Sequence, residues 1–316
     1  MPRKCLPDSL QGWVLVLLIV LLAAAPPVIL ATHRLFYLDI LSRIMILAMA
    51  AVSLNLIVGY GGMVSFGHAA FLGIGAYCVG IPAYYGIHNG FIHLGLAIVL
   101  SAAFALVTGA ISLRTRGIYF IMITLAFAQM LYYTFVSLDE YGGDDGMVIE
   151  MRSRFPGFLD LEHNVVLYYV IFAVLLISLI FVHRVVGARF GRVIVGAMHN
   201  EKRMQSLGFE TYRYRLTCYV LSGVICGIAG FLLANFSSYI GPEMMNWTHS
   251  AELLLILILG GVGSVLGPVI GTVIFVFLQH WLSSLTVYWE LIFGALLVAV
   301  VLFGRGGING LLAKAR

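Results

Sequence analysis

Long apolar runs recur along the chain, near 12–31, 40–58, 64–85, 92–112, 118–137, 164–183, 213–236, 250–266, 268–286 and 287–304. The runs are continuous and do not alternate, which argues against a membrane β-barrel, whose strands place an apolar residue at every second position. Each approaches the roughly 20 apolar residues that a helix needs to cross the hydrocarbon core. A helix also satisfies its backbone N–H and C=O groups within the segment, as lipid demands. The pattern predicts an all-α integral membrane protein, a polytopic helical bundle of about eight to ten spans with Gly-interrupted helices. The pairs of runs flanking 59–63 and 260–268 are ambiguous: each is two spans, or one broken helix with a re-entrant piece. The first run follows Arg3 and Lys4, and Pro26 and Pro27 directly follow Ala23-Ala24-Ala25, so it reads as an uncleaved span.

Composition agrees with that pattern. The 316 residues are 61% hydrophobic and only 10% charged, with a mean hydropathy of +1.02. Soluble domains carry about 25% charged residues. No polar block is long enough for a soluble domain, so 1–316 reads as one transmembrane domain. The cysteines, Cys5, Cys78, Cys218 and Cys226, form no CxxC pair. They suggest neither a disulfide framework nor a metal site.

Charge supplies an orientation. The stretch 184–215 holds Arg184, Arg189, Arg192, Lys202, Arg203, Arg213 and Arg215 against Glu201 and Glu210. The stretch 138–163 holds Asp139, Glu140, Asp144, Asp145, Glu150, Asp160 and Glu162 against Arg152 and Arg154. One span separates them, so they face opposite sides. The positive-inside rule places 184–215 in the cytoplasm. Alternation then brings Arg114, Arg116, Arg3, Lys4, Arg305, Lys314 and Arg316 to the same side. All but Arg34, Arg43, Arg152 and Arg154 of the 18 basic residues lie inside. Both termini are expected in the cytoplasm, and 138–163 outside.

Candidate chemistry is sparse. There is no GxxxxGK[ST] loop, HExxH or GxSxG, so neither ATP binding by a P-loop nor an enzyme is expected. Ionisable residues are almost absent from the apolar runs, whereas proton- or sodium-driven carriers bury them near the midplane. Gly61-Gly62-Met63-Val64-Ser65 echoes Gly260-Gly261-Val262-Gly263-Ser264, each between two apolar runs. Paired glycine-interrupted segments mark a transporter's pathway, or tight helix packing by small residues. With Gly59 and His68 beside the first cluster, these residues are the candidate pathway. His68 is either bonded to a neighbouring carbonyl or lines that pathway. Gly223-x-x-x-Gly227, near Gly230, reads as a close helix contact. From Val193 to Leu207 the inner loop forms an amphipathic helix stopped by Gly208. Such a helix docks into a partner's groove or lies in the anionic lipid surface. The outer loop Gly142-Gly143-Asp144-Asp145-Gly146 lacks EF-hand spacing and reads as a docking or gating loop.

Several segments, in order, resemble one known family. Asn55–Tyr77 (NLIVGYGGMVSFGHAAFLGIGAY) is similar to the hallmark segment of the branched-chain amino acid ABC transporter permeases. Leu113–Met130 (LRTRGIYFIMITLAFAQM), YGGDDGM at 141–147, Asn200-Glu201-x-Arg203 through Leu207-Gly208, and LILGGVGSVLGPVIG at 257–271 resemble its LivM branch. Met198-His199 stand where the family often has Arg-Glu.

The resemblance implies a multi-pass subunit of a bacterial inner-membrane importer for branched-chain or related amino acids. It implies pairing with a LivH-type permease and two cytoplasmic ATPases of the LivG/LivF type, with a periplasmic binding protein delivering the solute. ATP and Mg would be bound by those ATPases, and this chain would need no cofactor. Gly191, Arg192, Asn200, Glu201, Arg203 and Gly208, within 184–212, would then belong to the region that couples to an ATPase. The alternative reading is an ATP-independent carrier or channel for a small polar solute.

Overall fold

The computed structural model describes residues 21–27, 29, 35–155 and 159–303. Most of the expected first span lies outside them, as do Arg3, Lys4, Cys5, Arg34, Arg305, Lys314, Arg316 and both termini.

The apolar runs fold as helices: α1 (Leu35–Asn55, continued by a π-helical turn, Leu56–Tyr60), α2 (His68–Tyr84), α3 (Gly90–Ser112), α4 (Ile118–Val136) and α5 (Asn164–Gly187). The inner-loop segment gives α6 (Arg189–His199) and α7 (Glu201–Ser206). Then follow α8 (Thr211–Ser237), α9 (Trp247–Gly260), α10 (Gly267–Leu285) and α11 (Trp289–Phe303). Among the described residues, six helices are long and apolar enough to cross a membrane. They are α1 with its π turn, α3, α4, α5, α8 and α10. The apolar α2 and α9 are shorter. Among the described residues the strands are short: β1 (Met147–Val148) pairs with β4 (Tyr239–Ile240), and β2 (Arg154–Phe155) with β3 (Leu159–Asp160), each pair antiparallel.

Burial sorts the helices into centre and rim. Of the span windows, 78% of α1's and 61% of α8's residues are buried, against 17% of α4's. A helix apolar all round belongs in a core, and one left uncovered needs lipid or another protein chain. Small residues let the central backbones touch. A Cβ on Gly75 of α2 would strike the Gly227 carbonyl of α8, and one on Gly230 would strike the Leu72 carbonyl. The close contact expected of Gly223, Gly227 and Gly230 is therefore made mainly with α2, while Gly227 also meets Ser101 of α3.

The loops sort onto two sides. On one, Arg116 pairs with Glu201 at 3.1 Å, the Tyr212 hydroxyl donates to the Ala110 carbonyl, and Gly62 abuts Met198. Loops 61–67, 113–117 and 188–210 thus share one basic face. On the other, β1 pairs with β4, the Arg154 amide donates to the His88 carbonyl, and Tyr85 bonds to Tyr141. Loops 85–89, 137–155, 159–163 and 238–246 share that acidic face.

Two helices depart from the bounds of their apolar runs: α2 starts later, and α9 ends at Gly260 where the run continues to 266. The run from 64 becomes helical only at His68, because Gly62 turns the chain at φ 66° and the Ser65 hydroxyl accepts the Gly67 amide at 3.2 Å. The helix α9 has 14 residues and is roughly 21 Å long, short of the ~30 Å core. The chain leading into it runs beside α2. Ile240 packs on Gly80 and Met245 on Gly73, and the Ser250 hydroxyl accepts the Ala69 amide at 2.9 Å.

Candidate functional site

The two glycine clusters meet on the basic face, and Asn55 joins them. Fully buried at the end of α1, it donates from Nδ2 to the Ser264 carbonyl at 2.7 Å and accepts the Gly263 amide on Oδ1 at 3.0 Å. Both halves of one amide are satisfied by the backbone of the second cluster. Gly59 makes that approach possible: a Cβ there would lie 2.6 Å from the Gly263 nitrogen and would also strike the Asn55 side chain.

The clusters share backbone chemistry as well as sequence. Gly62, Gly261 and Gly263 adopt φ of 66°, 102° and 80°, a region where side chains other than glycine are strained. After the π turn, the Gly62 amide returns to the Val58 carbonyl at 3.1 Å and the Met63 amide to Ile57 at 2.9 Å. Buried Gly61 fits under these turns, with the Ile57 carbonyl 2.7 Å from where its Cβ would lie. Ser264 donates to the Gly261 carbonyl at 3.1 Å and accepts the Gly267 amide at 2.9 Å, holding the start of α10. Gly260 packs on Gly267 and Gly271, which closes the α9–α10 hairpin.

The structure encloses His68. Its side chain is wholly buried, and Nε2 is 2.7 Å from the Ser53 hydroxyl. The Ser53 hydroxyl also lies 2.6 Å from the Ala50 carbonyl, so it can donate there while accepting from Nε2. The imidazole edges against Phe71, with ring centres 5.5 Å apart. The partner is a hydroxyl of α1, not a neighbouring carbonyl, and the ring faces no open passage in this conformation.

The inner segment is two helices, not one from Val193 to Leu207. Asn200 breaks it: φ −155° and ψ 95° end α6, and its side chain accepts the Arg203 amide at 3.0 Å to start α7. An Asn able to cap a new helix outcompetes the apolar stripe that would run through it. Val193 and Ala197 are buried, whereas Leu207 is exposed. Gly208, at φ 87°, stops α7 as expected. Gly191 serves packing, since a Cβ there would strike the Val186 carbonyl. Arg192, Met198, His199, Lys202 and Arg203 are exposed. Glu201 is not: its carboxylate turns inward to Arg215 at 3.0 Å, with both side chains largely covered. The segment also touches the first glycine cluster, because the Met198 Cγ lies 2.7 Å from where a Gly62 Cβ would be.

On the acidic face, Gly142, Gly143 and Gly146 take φ of 89°, 50° and 71°. The loop they shape leaves Asp144 and Asp145 exposed. Tyr239 donates to the Asp145 carbonyl at 2.9 Å. His93 lies 2.8 Å from the Ser153 hydroxyl, and the Ser153 amide donates to Asn235 at 2.8 Å. The region is thereby anchored to α3 and α8. Tyr141, bonded to Tyr85 at 2.9 Å, is the main cause pushing the Tyr85 phenol up to about 12, so that hydroxyl remains neutral.

Sequence reasoning missed three features: Asn55 as the joint, Met198 as the contact between segments, and Arg215 as a partner. Asn55 had a visible signal, an amide within an apolar run. Arg116 and Arg215 were legible only as topological charges.

Interrupted helices meeting through backbone, between a basic and an acidic face, define a polytopic membrane protein of the transport-permease class. The chain belongs to the family described as branched-chain amino acid transport system / permease component, whose model matches residues 36–301. It is 28% identical over 295 residues to the high-affinity branched-chain amino acid transport system permease protein LivM of Salmonella typhimurium, covering 85% of this chain and 69% of that one. It is 24% identical to the corresponding permease protein LivH of Escherichia coli, covering 83% and 91%. It is also 27% identical to the L-arabinose ABC transporter permease protein AraH of Azospirillum brasilense, covering 67% and 64%. No solved structure matches the chain. The family and the apolar helices make this a multi-pass inner-membrane permease.

Proposed function

We propose that the chain is the LivM-type half of an ATP-driven importer for branched-chain or related amino acids. The observation that carries the reading is the contact of the exposed basic segment α6–α7 with the glycine break, through Met198 and Gly62. A transporter driven by partner subunits needs a surface for them and a route from that surface to interrupted helices. In this reading the basic face is cytoplasmic and α6–α7 docks one of two ATPases, which bind ATP and Mg. A LivH-type permease supplies the other half of the pathway. A periplasmic binding protein delivers solute to the acidic face, and Asp144 and Asp145 contact it. Gly59, Gly61, Gly62, Ser65, Gly260, Gly261, Gly263 and Ser264 form the joint that rearranges as access alternates.

Purification of the chain with its co-expressed partners, followed by reconstitution with radiolabelled leucine and the binding protein, tests this. Expected are two bound ATPases and uptake that needs both ATP and the binding protein. Uptake by the chain alone in ATP-free vesicles would sink the reading in favour of an autonomous carrier or channel.

A further inference from the structure

The break at Asn200 poses a mechanical problem. A docking segment made of two short helices, 11 and 6 residues long, is a hinge unless something fastens it. Helices this short do not hold themselves. A push on a hinge is absorbed locally and goes no further.

The fastening is visible around Glu201. One carboxylate oxygen accepts Arg215 Nη1 at 3.0 Å, and the two side chains are 13% and 16% exposed. The other oxygen accepts the Thr211 hydroxyl at 3.0 Å. Arg215 also donates from Nη2 to the Ala197 carbonyl at 3.3 Å, in the last turn of α6. Gln205 of α7 donates to Thr211 at 3.2 Å. The end of α6, the start and end of α7, and the first turn of α8 are therefore tied at one point. Arg116 joins from the α3–α4 loop at 3.1 Å, but it is 68% exposed. An exposed pair of that kind is screened and weak, so the covered Arg215 pair carries the joint.

We propose that Glu201 and Arg215 are positioning residues for energy coupling: their ion pair fastens the α6–α7 segment to α8 across the Asn200 break. Movement of the segment is thus passed to the central helix. This rests on the reading above that α6–α7 docks an ATPase. It departs from the resemblance in one respect, because the Glu201 carboxylate is engaged within the chain and is not offered to the partner. The docking surface falls to Met198, His199, Lys202, Arg203 and Leu207, which are exposed. α8 packs on α1, α2 and α3, and so reaches both the helix that ends in Asn55 and the helix that follows Gly62.

The test uses the assembled complex in proteoliposomes and reads solute imported per ATP hydrolysed. Glu201→Gln and Arg215→Met are expected to keep the ATPases bound while that ratio falls about fivefold. Arg215→Lys, which keeps the charge but not the second hydrogen bond, is expected to fall about twofold. It decides the matter if the first two variants do not fold. Arg116→Ala is expected to change the ratio least. An unchanged ratio in Glu201→Gln, or in Arg215→Lys where only that variant folds, overturns the proposal. Loss of the ATPases on Glu201→Gln also overturns it, because the carboxylate would then be a docking contact. Failure of the unsubstituted chain to bind any ATPase is a separate result, and removes the underlying reading together with the proposal.

Discussion

Asn55 and Gly263 are 208 residues apart, yet the Asn55 side chain accepts the Gly263 amide at 3.0 Å while donating to the Ser264 carbonyl at 2.7 Å. Inside a membrane protein no bulk water stands ready to replace either bond. The amide therefore acts as a staple between the ends of α1 and α9. Asn55→Leu leaves a backbone donor and a backbone acceptor without partners, at about 1–3 kcal/mol each. The expected outcome is a fall in the detergent melting temperature of roughly 5 °C or more, with uptake lost as well. Scanning calorimetry or fluorescence-detected melting of the purified chain checks the first part. An unchanged melting temperature would remove the staple from the account.

Gly62 and Gly261 carry positive φ, which costs a residue with a Cβ about 1–2 kcal/mol. Gly62→Leu adds a collision with Met198. Both Gly62→Leu and Gly261→Leu are expected to assemble but to lose most uptake. Met198→Ala in the Gly62→Leu background should recover part of the melting temperature that the collision costs, because it leaves only the φ strain. Normal transport by both well-expressed single variants would show that the breaks are passive.

Gly75 and Gly230 address the central packing. Any Cβ at either position meets a carbonyl of the facing helix, so α2 and α8 must separate. Gly75→Val and Gly230→Val are expected to lower the yield of monodisperse protein severalfold, read by size-exclusion chromatography. Gly86→Ala is a useful contrast: its φ is also positive, but nothing lies near its Cβ, so it should cost only the modest strain of that φ.

Much of this architecture is legible from sequence, and the reasons differ by feature. Span positions follow from run length because lipid demands helices. The two faces follow from counting arginines, and the interrupted segments follow from glycine. Contacts between runs are another matter. An apolar run shows that it is kept from water, not whether lipid or which neighbouring helix covers it, so Asn55 and Ser264 cannot be paired from their own surroundings. The Asn200 break shows a different failure. The stripe Val193, Ala197, Met204 and Leu207 suggests one helix, yet Met204 reaches Gly196 across a bend, and the cap at Asn200 was the competing signal.

On the acidic face, Asp144→Asn with Asp145→Asn removes two exposed charges without altering the glycines that shape the loop. If that loop receives the binding protein, stimulation of ATP hydrolysis by the binding protein should weaken several-fold and become less sensitive to salt. The rate without binding protein measures the intact engine. Equal stimulation of the doubly substituted and unsubstituted complexes would assign docking to another surface.

The short α9 constrains how the protein is made. At 14 residues it is a poor candidate for independent release into lipid by the insertion machinery. The short 3-10 turn that precedes it, Pro242–Met245, packs through Met245 on Gly73 of α2, synthesised more than 150 residues earlier. Integration of α9 is therefore expected to follow the emergence of α10, which completes the hairpin, and the association of α2 with α8. Biogenesis is accordingly ordered, with α9 and α10 docking against helices that earlier segments have already assembled.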